Sequence, residues 1–269
     1  MTTEESGDEL QVVKSASRTL EVLEALAEGD ARPSLGELAK SLSIPKSSLH
    51  GILRTMEHRG WVETDASGQR FGLGPHALFI GTSYVDRDDT VSSAQPVLEW
   101  LSNQLGEAIH LGRLDGSEVV HLAKRESTHP LRIYSAIGGR LPANATALGK
   151  VLLAERSNDR VREVMPPQLA QLTRHTIHHW NDFEADLDLI RNRGYAVDNE
   201  ENSEGTMCFA IALPNSRAGA APVDAIGVSI PVSRIEDGTE ANIAGLLREA
   251  RARFVHPERL AAVKAASLT

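Results

Sequence analysis

The sequence predicts a two-domain α+β protein. Three observations predict it: two amphipathic helices around a tight turn with a hairpin behind them over residues 33 to 74, a length of 269 residues, and a second half in which helices interleave with hairpin-connected strands. A chain of this length exceeds the usual single domain, and 41% hydrophobic residues suffice for two ordinary cores.

Taken in order, the first element is a helix. Ser15, Ser17 and Thr19 precede Leu20, Val22, Leu23, Leu26 and Ala27, a stripe able to close a three-helix core. Ser34 stands at an N-cap position before Leu35, Leu38, Ala39 and Leu42, which recur at helical spacing. Ser43, Ile44 and Pro45 break that pattern, and Leu49, Ile52, Leu53 and Met56 resume it from a helix start between residues 45 and 47. With those four facing inward, Lys46, Ser47, Ser48, His50 and Arg54 point outward. Gly60 suits the left-handed end of this helix, and the alternation of Trp61, Val62 and Glu63, then DASG and QRF, reads as a small hairpin, or wing, with Gln69 and Arg70 near its second strand.

A major groove admits one helix whose outer side chains hydrogen-bond while its inner ones pack on a partner, so this assembly reads as a winged helix-turn-helix that binds DNA. Any small three-helix domain shows similar periodicity; the complete order of helix, cap, helix, turn, polar-faced helix, glycine and wing is what favours DNA. Ser47, Ser48 and His50 are assigned to base edges, and Ser34, Lys46, Arg54, Gln69 and Arg70 to phosphates or the wing. A net charge of −9 argues against a generally basic nucleic-acid coat, but the charge is uneven. The first ten residues carry four acids and no base, an expected disordered tip, whereas residues 31 to 70 hold six Lys or Arg against four acids.

Pro75 opens a further helix carrying Leu78, Phe79, Tyr84 and Val85, read as a linker whose apolar side packs on its own domain or on a second subunit. The expected boundaries are 11–74 for the DNA-reading domain, 75–90 for the linker helix and 91–260 for the second domain. In that second domain Val97, Leu98, Leu101 and Leu105 predict a helix, and 109–114 with 119–123 predict a hairpin around Asp115, Gly116 and Ser117. Strands are expected at 131–135, 195–199, 207–213 and 225–232, and helices near 146–154, 183–193 and 240–254, giving a mostly antiparallel sheet. Residues 216–222 read as a flexible hairpin loop.

Small residues in LPANATALGK precede and enter a predicted helix start, where unpaired N–H groups favour a carboxylate or phosphate, although close packing explains such residues more often. The single cysteine, Cys208, excludes an intramolecular disulfide and a multi-thiolate zinc site, which fits a reducing cytoplasm. No apolar run reaches the ~18 residues of a membrane span, and no signal peptide is evident, so a soluble cytoplasmic protein without a membrane partner is expected.

Eight motifs, VKSASRTLEVLEAL, LGELAKSLSIPKSSLHGILRTMEHRGWV, FGLG, ATALGKVLLA, LTRHT, IRNRGYAVDNEE, MCFAIALP and AIGVSIPVSRI, resemble in this order the IclR family of bacterial transcriptional regulators over residues 12 to 256. The resemblance implies a winged helix, a linker helix and a GAF-like or profilin-like effector-binding domain. It also implies a homodimer or homotetramer on palindromic double-stranded operator DNA, more often as a repressor, controlled by a small organic acid. The pocket it implies uses Asn144, Thr146, Ala147, Leu148, Asp198, Cys208, Gly227, Val228 and Ser229. Where oxoacid-binding members often have Ser-Ile-Ser, this chain has Gly227, Val228 and Ser229, one hydroxyl fewer, a loss of about 1.5–3 kcal/mol toward a charged group that leaves effector identity open.

Three rival readings remain. Cys208 with His175, His178 or His179 and Asp198 would suit a cysteine-dependent enzyme, but Cys208 lies in an apolar run and no base falls at motif spacing, so no catalytic residue is expected. The same histidines invite a metal, but Thr176 and Ile177 favour an extended segment, so no metal or cofactor is expected. A ligand-independent architectural DNA binder is the third, opposed by a second domain about twice the size of the reader. An aromatic acid is the alternative effector, although an aromatic content of 4% mildly favours an aliphatic one.

Overall fold

The computed structural model describes residues 13–29, 31–129, 135–215, 217 and 219–254. The expected acidic tip, residues 131–134 of the expected strand and residues 216 and 218 of the expected loop lie outside the described residues. Backbone contacts divide the chain into two units between Tyr84 and Val85.

In the first unit, α1 (Lys14–Glu28), α2 (Leu35–Ser41) and α3 (Lys46–His58) precede a two-stranded hairpin of β1 (Val62–Thr64) and β2 (Phe71–Leu73), and α4 (Pro75–Asp86) follows. Val22 and Leu26 of α1, Leu38 and Ala39 of α2, Ile44, Leu49, Leu53 and Met56, and Val62 form one buried core. Each large side chain among them contributes roughly 1.5–3 kcal/mol by leaving water. Helix α1 starts at Lys14, so Ser15, Ser17 and Thr19 lie inside it, and Ser17 and Thr19 bond within the helix, to Glu21 and to the Ser15 carbonyl. Leu20 is 58% exposed, because a residue two positions before Val22 lies 200° round the helix from the buried stripe.

Helix α2 is closed at its start by a capping box: Ser34 Oγ accepts from the Glu37 N–H and the Glu37 carboxylate accepts from the Ser34 N–H. The turn between α2 and α3 places Ser43 in the left-handed region at φ 53°. Gly60, at φ 72°, ends α3, and a Cβ on Gly74 would stand 2.3 Å from the Gly60 carbonyl oxygen, which is why the FGLG segment must end in glycine where it crosses the end of α3.

In the second unit a six-stranded sheet is flanked by helices. Its strands are β3 (Ala108–Asp115), β4 (Glu118–Arg125), β5 (Arg140–Pro142), β6 (Ala196–Asn199), β7 (Thr206–Ala212) and β8 (Asp224–Pro231), in the order β5-β4-β3-β8-β7-β6 with every pairing antiparallel. The helices are α5 (Asp89–Leu105), α6 (Ala147–Ala154), α7 (Asn158–Val164), α8 (Trp180–Arg193) and α9 (Thr239–Arg253).

Alternation along the strands separates two cores. Ile109, Leu111, Phe209, Ile211, Ile226 and Val228 pack with α5 and α9, through Leu98, Leu101 and Leu247. On the other face Ala210, Ala212 and Ala225 pack with α6 and α8, through Leu152, Phe183 and Leu187. That second face is paved with alanine and glycine, which lets α6 lie close to the sheet with all of its residues buried. A Cβ on Gly112 or Gly227 would come within 3.0 or 3.1 Å of the Leu148 side chain.

Candidate DNA-reading face and ligand cavity

Helix α3 presents Lys46, Ser47, His50 and Arg54 to solvent. Among the described residues, Lys46, His50 and Arg54 make no ion pair and no side-chain hydrogen bond, so their donors are available to an incoming polyanion. Ser48 is half-buried, and its hydroxyl accepts from Arg18 Nη1 at 3.3 Å, which brings a cation of α1 to the same face. Ser34 and Arg70 hold the scaffold together. Ser34 Oγ accepts within the capping box, while Arg70 donates to the Arg32 carbonyl at 2.8 Å, lies 3.7 Å from Glu37 and bridges to Ser34 through the backbone. Gln69 is exposed on the wing, whose turn is organised by the Asp65 carboxylate accepting from Ser67 Oγ and from the N–H groups of Gln69 and Arg70.

The second unit holds a partly open cavity of about 230 Å³ beside the start of α6. Thr146, Ala147 and Leu148 enter it from the helix, Asp198 from β6, Cys208 from β7, and Gly227, Val228 and Ser229 from β8. The antiparallel register makes Asp198, Cys208 and Ser229 a cross-strand row, since Cys208 pairs with both of the others. Cys208 Sγ donates to Ser229 Oγ at 3.2 Å. Val228 offers its backbone, since its side chain belongs to the core on the opposite face.

Thr146 caps α6 by accepting from the Gly149 N–H at 3.0 Å, and among the described residues no backbone carbonyl accepts from the N–H of Ala147 or Leu148. Asn144 does not line the cavity. Its amide donates to the carbonyls of Ala170 at 2.9 Å and Ile177 at 3.3 Å, tying the 3-10 turn Ala143–Ala145 to the 165–180 segment.

Two family models match, the IclR helix-turn-helix domain over residues 15–66 and the bacterial transcriptional regulator IclR C-terminal domain over residues 82–255. The chain belongs to the IclR family. It is 36% identical to the glycerol operon regulatory protein of Streptomyces coelicolor, covering 83% of this chain and 87% of that one. It is 32% identical to the transcriptional repressor IclR of Escherichia coli, covering 84% and 82%. It shares its fold with an IclR homologue from Microbacterium hydrocarbonoxydans crystallised with 4-hydroxybenzoate, at a TM-score of 0.75 and 19% identity over 92% of this chain and 99% of that one. The chain is thus a transcriptional regulator of a DNA-binding family. No helix among the described residues is long and apolar enough to cross a membrane.

Within this IclR-type domain the electrostatics centre on two buried groups. Lys150, 1% exposed on α6, hydrogen-bonds Glu201 Oε1 at 2.5 Å and ion-pairs with Asp186 at 2.8 Å, off the hydrogen-bond direction. Asp198 Oδ1 accepts from the N–H groups of Glu201 at 2.7 Å and Asn202 at 3.3 Å. Burial, with Glu201 nearby, pushes the Asp198 carboxyl up to about 7 against the pull of those N–H groups and Lys150. Enclosure, and then Asp198, raise the Cys208 thiol, which is therefore neutral and a poor nucleophile.

His110, His121 and Ser135 also line the cavity, and sequence reasoning misses them, because strand histidines without a motif carry no signal until the register places them. The rings of His178 and His179 lie 4.2 Å apart and tilted by 42° near the start of α8. Among the described residues no group of three or more His, Cys, Asp or Glu is placed to hold a metal ion.

A carboxyl whose folded-state pKa lies above its unfolded value stabilises the fold at low pH and ceases to as pH rises through the folded value. Stability therefore falls between about pH 4 and pH 7 on account of Asp198. Asp198→Asn keeps an acceptor for both N–H groups and removes the charge. Its stability relative to the parent should rise by about 2–3 kcal/mol from pH 5 to pH 8, read from urea midpoints at each pH. A gap that does not change with pH contradicts the raised carboxyl.

Proposed function

We propose that this regulator is a repressor whose affinity for a palindromic operator is set by a small organic acid bound in the cavity beside α6. The observation that carries this reading is the convergence, in one cavity, of the unspent N–H groups of Ala147 and Leu148 with the Ser229 hydroxyl and the Asp198 carboxyl. A carboxylate gains from the helix start and from the hydroxyl, and a protonated Asp198 donates to it. The relative crystallised with 4-hydroxybenzoate favours an aromatic acid as the second reading. Binding is favoured over cysteine chemistry because Cys208 is bonded to Ser229 and not to an imidazole.

Two copies read DNA in this account. On α4, Leu78, Phe79 and Tyr84 are 70%, 60% and 55% exposed, an apolar surface that a second copy covers in a homodimer, with a tetramer as a dimer of dimers. Paired α3 helices then enter successive major grooves about 34 Å apart. Ser47, Ser48 and His50 approach base edges, Lys46, Arg54 and Arg18 the phosphates, and Gln69 the wing contact, in the cytoplasm where the operator lies.

Strand β3 joins the cavity wall to the start of α5. This strand carries His110 to the cavity and, three residues on, Arg113, whose guanidinium holds both Asp88, the N-cap of α5 just beyond α4, and Asp224 of β8.

Arg54→Ala should weaken operator binding about tenfold and reduce the slope of log affinity against log salt by about 0.9 for each phosphate that Arg54 neutralises, measured by fluorescence anisotropy on a fragment of the regulator's own promoter region. An unchanged affinity and slope removes α3 as the reader. For the cavity, a thermal-shift panel of short aliphatic oxoacids and benzoates should give a saturable rise in Tm for one class that is reduced in Ser229→Ala. A flat response across the panel removes the acid site.

A further inference from the structure

The cavity has a second polar end, which an acid held at α6 leaves unused. His110 on β3 and His121 on β4 meet there with ring centroids 5.0 Å apart and planes 24° from parallel. Both are buried, at 4% and 8% exposure. The register accounts for the pairing: after an irregularity at Leu111 and Gly112, His121 lies opposite Gly112, two residues along β3 and so on the same face as His110.

His110 Nε2 stands 2.8 Å from Ser135 Oγ. Among the described residues His121 makes no side-chain hydrogen bond, and neither imidazole stands in an ion pair with a carboxylate. The cation acting on both rings is Lys124 on β4, whose ammonium donates to the Ser135 carbonyl and pairs with Glu126 at 2.6 Å. The other ionisable groups lining the space are Arg140 of β5, held by Glu118 and Asp115, Asp198 of β6 and Cys208 of β7.

Two buried, neutral imidazoles stand side by side on the cavity wall, and among the described residues neither is paired with a carboxylate, so an anion entering there meets rings able to take up a proton. Burial, then the neighbouring His121 and Lys124, press His110 down to about 3, and burial with Lys124 lowers His121. A ligand that brings an anion reverses this balance. His110 is the diagonal neighbour of Ser229, which pairs with Ala108, so the two polar ends lie on adjacent strands about 7–8 Å apart at the backbone, a span a short diacid bridges.

We propose that the stacked His110 and His121 read a second acidic group of the effector, which is therefore a short dicarboxylate with one end at the start of α6 and the other against the imidazoles. This rests on the reading of the cavity as an acid site. The pair takes up one proton as the second carboxylate arrives. A proton bound with the ligand makes affinity rise as pH falls from 8 to 6, a range in which both carboxylates of the ligand are mostly ionised.

The test is calorimetric titration of the full chain with the saturated C4 to C6 α,ω-dicarboxylates, each beside the monocarboxylate of equal length, at pH 6, 7 and 8. The diacid of the fitting length should bind at least tenfold tighter than its monoacid at pH 7, with the preference widening at pH 6. In His121→Gln and His110→Gln the preference should collapse while the monoacid binds as before, which also shows that the variants are folded. Independently of any variant, NMR of the parent protein should move the imidazole Cε1 resonances of the pair toward the imidazolium position on adding the diacid.

Equal binding of diacid and monoacid, or a preference that survives in both histidine variants, overturns the proposal and leaves the acid cavity standing. A pH dependence that survives in both histidine variants but vanishes in Asp198→Asn assigns the proton to Asp198 and overturns the role of the pair. Binding of none of the acids overturns both readings.

Discussion

The close seating of α6 on the sheet is the constraint on which the rest of the second domain depends. A Cβ on Gly149 would lie 2.2 Å from the Ala143 carbonyl oxygen, so the helix can approach the preceding 3-10 turn only with glycine there. Below it, Ala210, Ala212, Ala225, Gly112 and Gly227 leave room that larger residues would fill. Two consequences follow. The start of α6 is brought to the cavity with N–H groups to offer, and Lys150, on the same short helix, is carried into the interior, where it requires Glu201 and Asp186. Removing one partner of such a buried pair costs roughly 3–5 kcal/mol, so the loop after β6 is held by the same helix that makes the site. That loop supplies the N–H groups of Glu201 and Asn202 that fix Asp198. Packing, ion pairing and cavity polarity are one connected arrangement.

The DNA-reading domain rests on a different economy. Its core is small, and much of its order comes from backbone closure at the joints: the capping box of α2, the carboxylate of Asp65 in the wing turn, and the crossing of Gly74 over the end of α3. Arg70 and Ser34 take part in that closure, while Lys46, His50 and Arg54 on the outer side of α3 make no ion pair and no side-chain hydrogen bond among the described residues. A reader of this kind needs rigid joints and an unspent face, and the division of labour between Arg70 and Arg54 provides both.

The helices of the reader were legible because an apolar stripe at 3.6-residue spacing is a local signal, and Gly60 and Pro45 punctuate it. The central strands and the β3–β4 hairpin were legible for the same reason, with alternation and a Gly116 turn. Strand β5 and helix α7 were not, being three and seven residues long with little periodicity to show. In the cavity, Thr146, Asp198, Cys208 and Ser229 came from the family resemblance, and the register explains why they meet. Asn144 looked like a ligand contact but does not line the cavity, and its Nδ2 donates instead to the carbonyls of Ala170 and Ile177, a long-range use that no local pattern displays. His110 and His121 are the converse, two unremarkable residues that only an irregular register brings face to face.

In the proposed function one molecule joins two tasks, so that occupation of the cavity and occupation of the operator bias each other. Linkage requires the two effects to be equal: an acid that changes operator affinity by some factor must have its own affinity changed by the same factor when operator is bound. The direct measurement is the pair of dissociation constants, operator with and without saturating acid and acid with and without saturating operator, in one buffer. The account predicts equal factors of roughly 5 to 150. An acid that binds the cavity tightly while leaving operator affinity unaltered would contradict it.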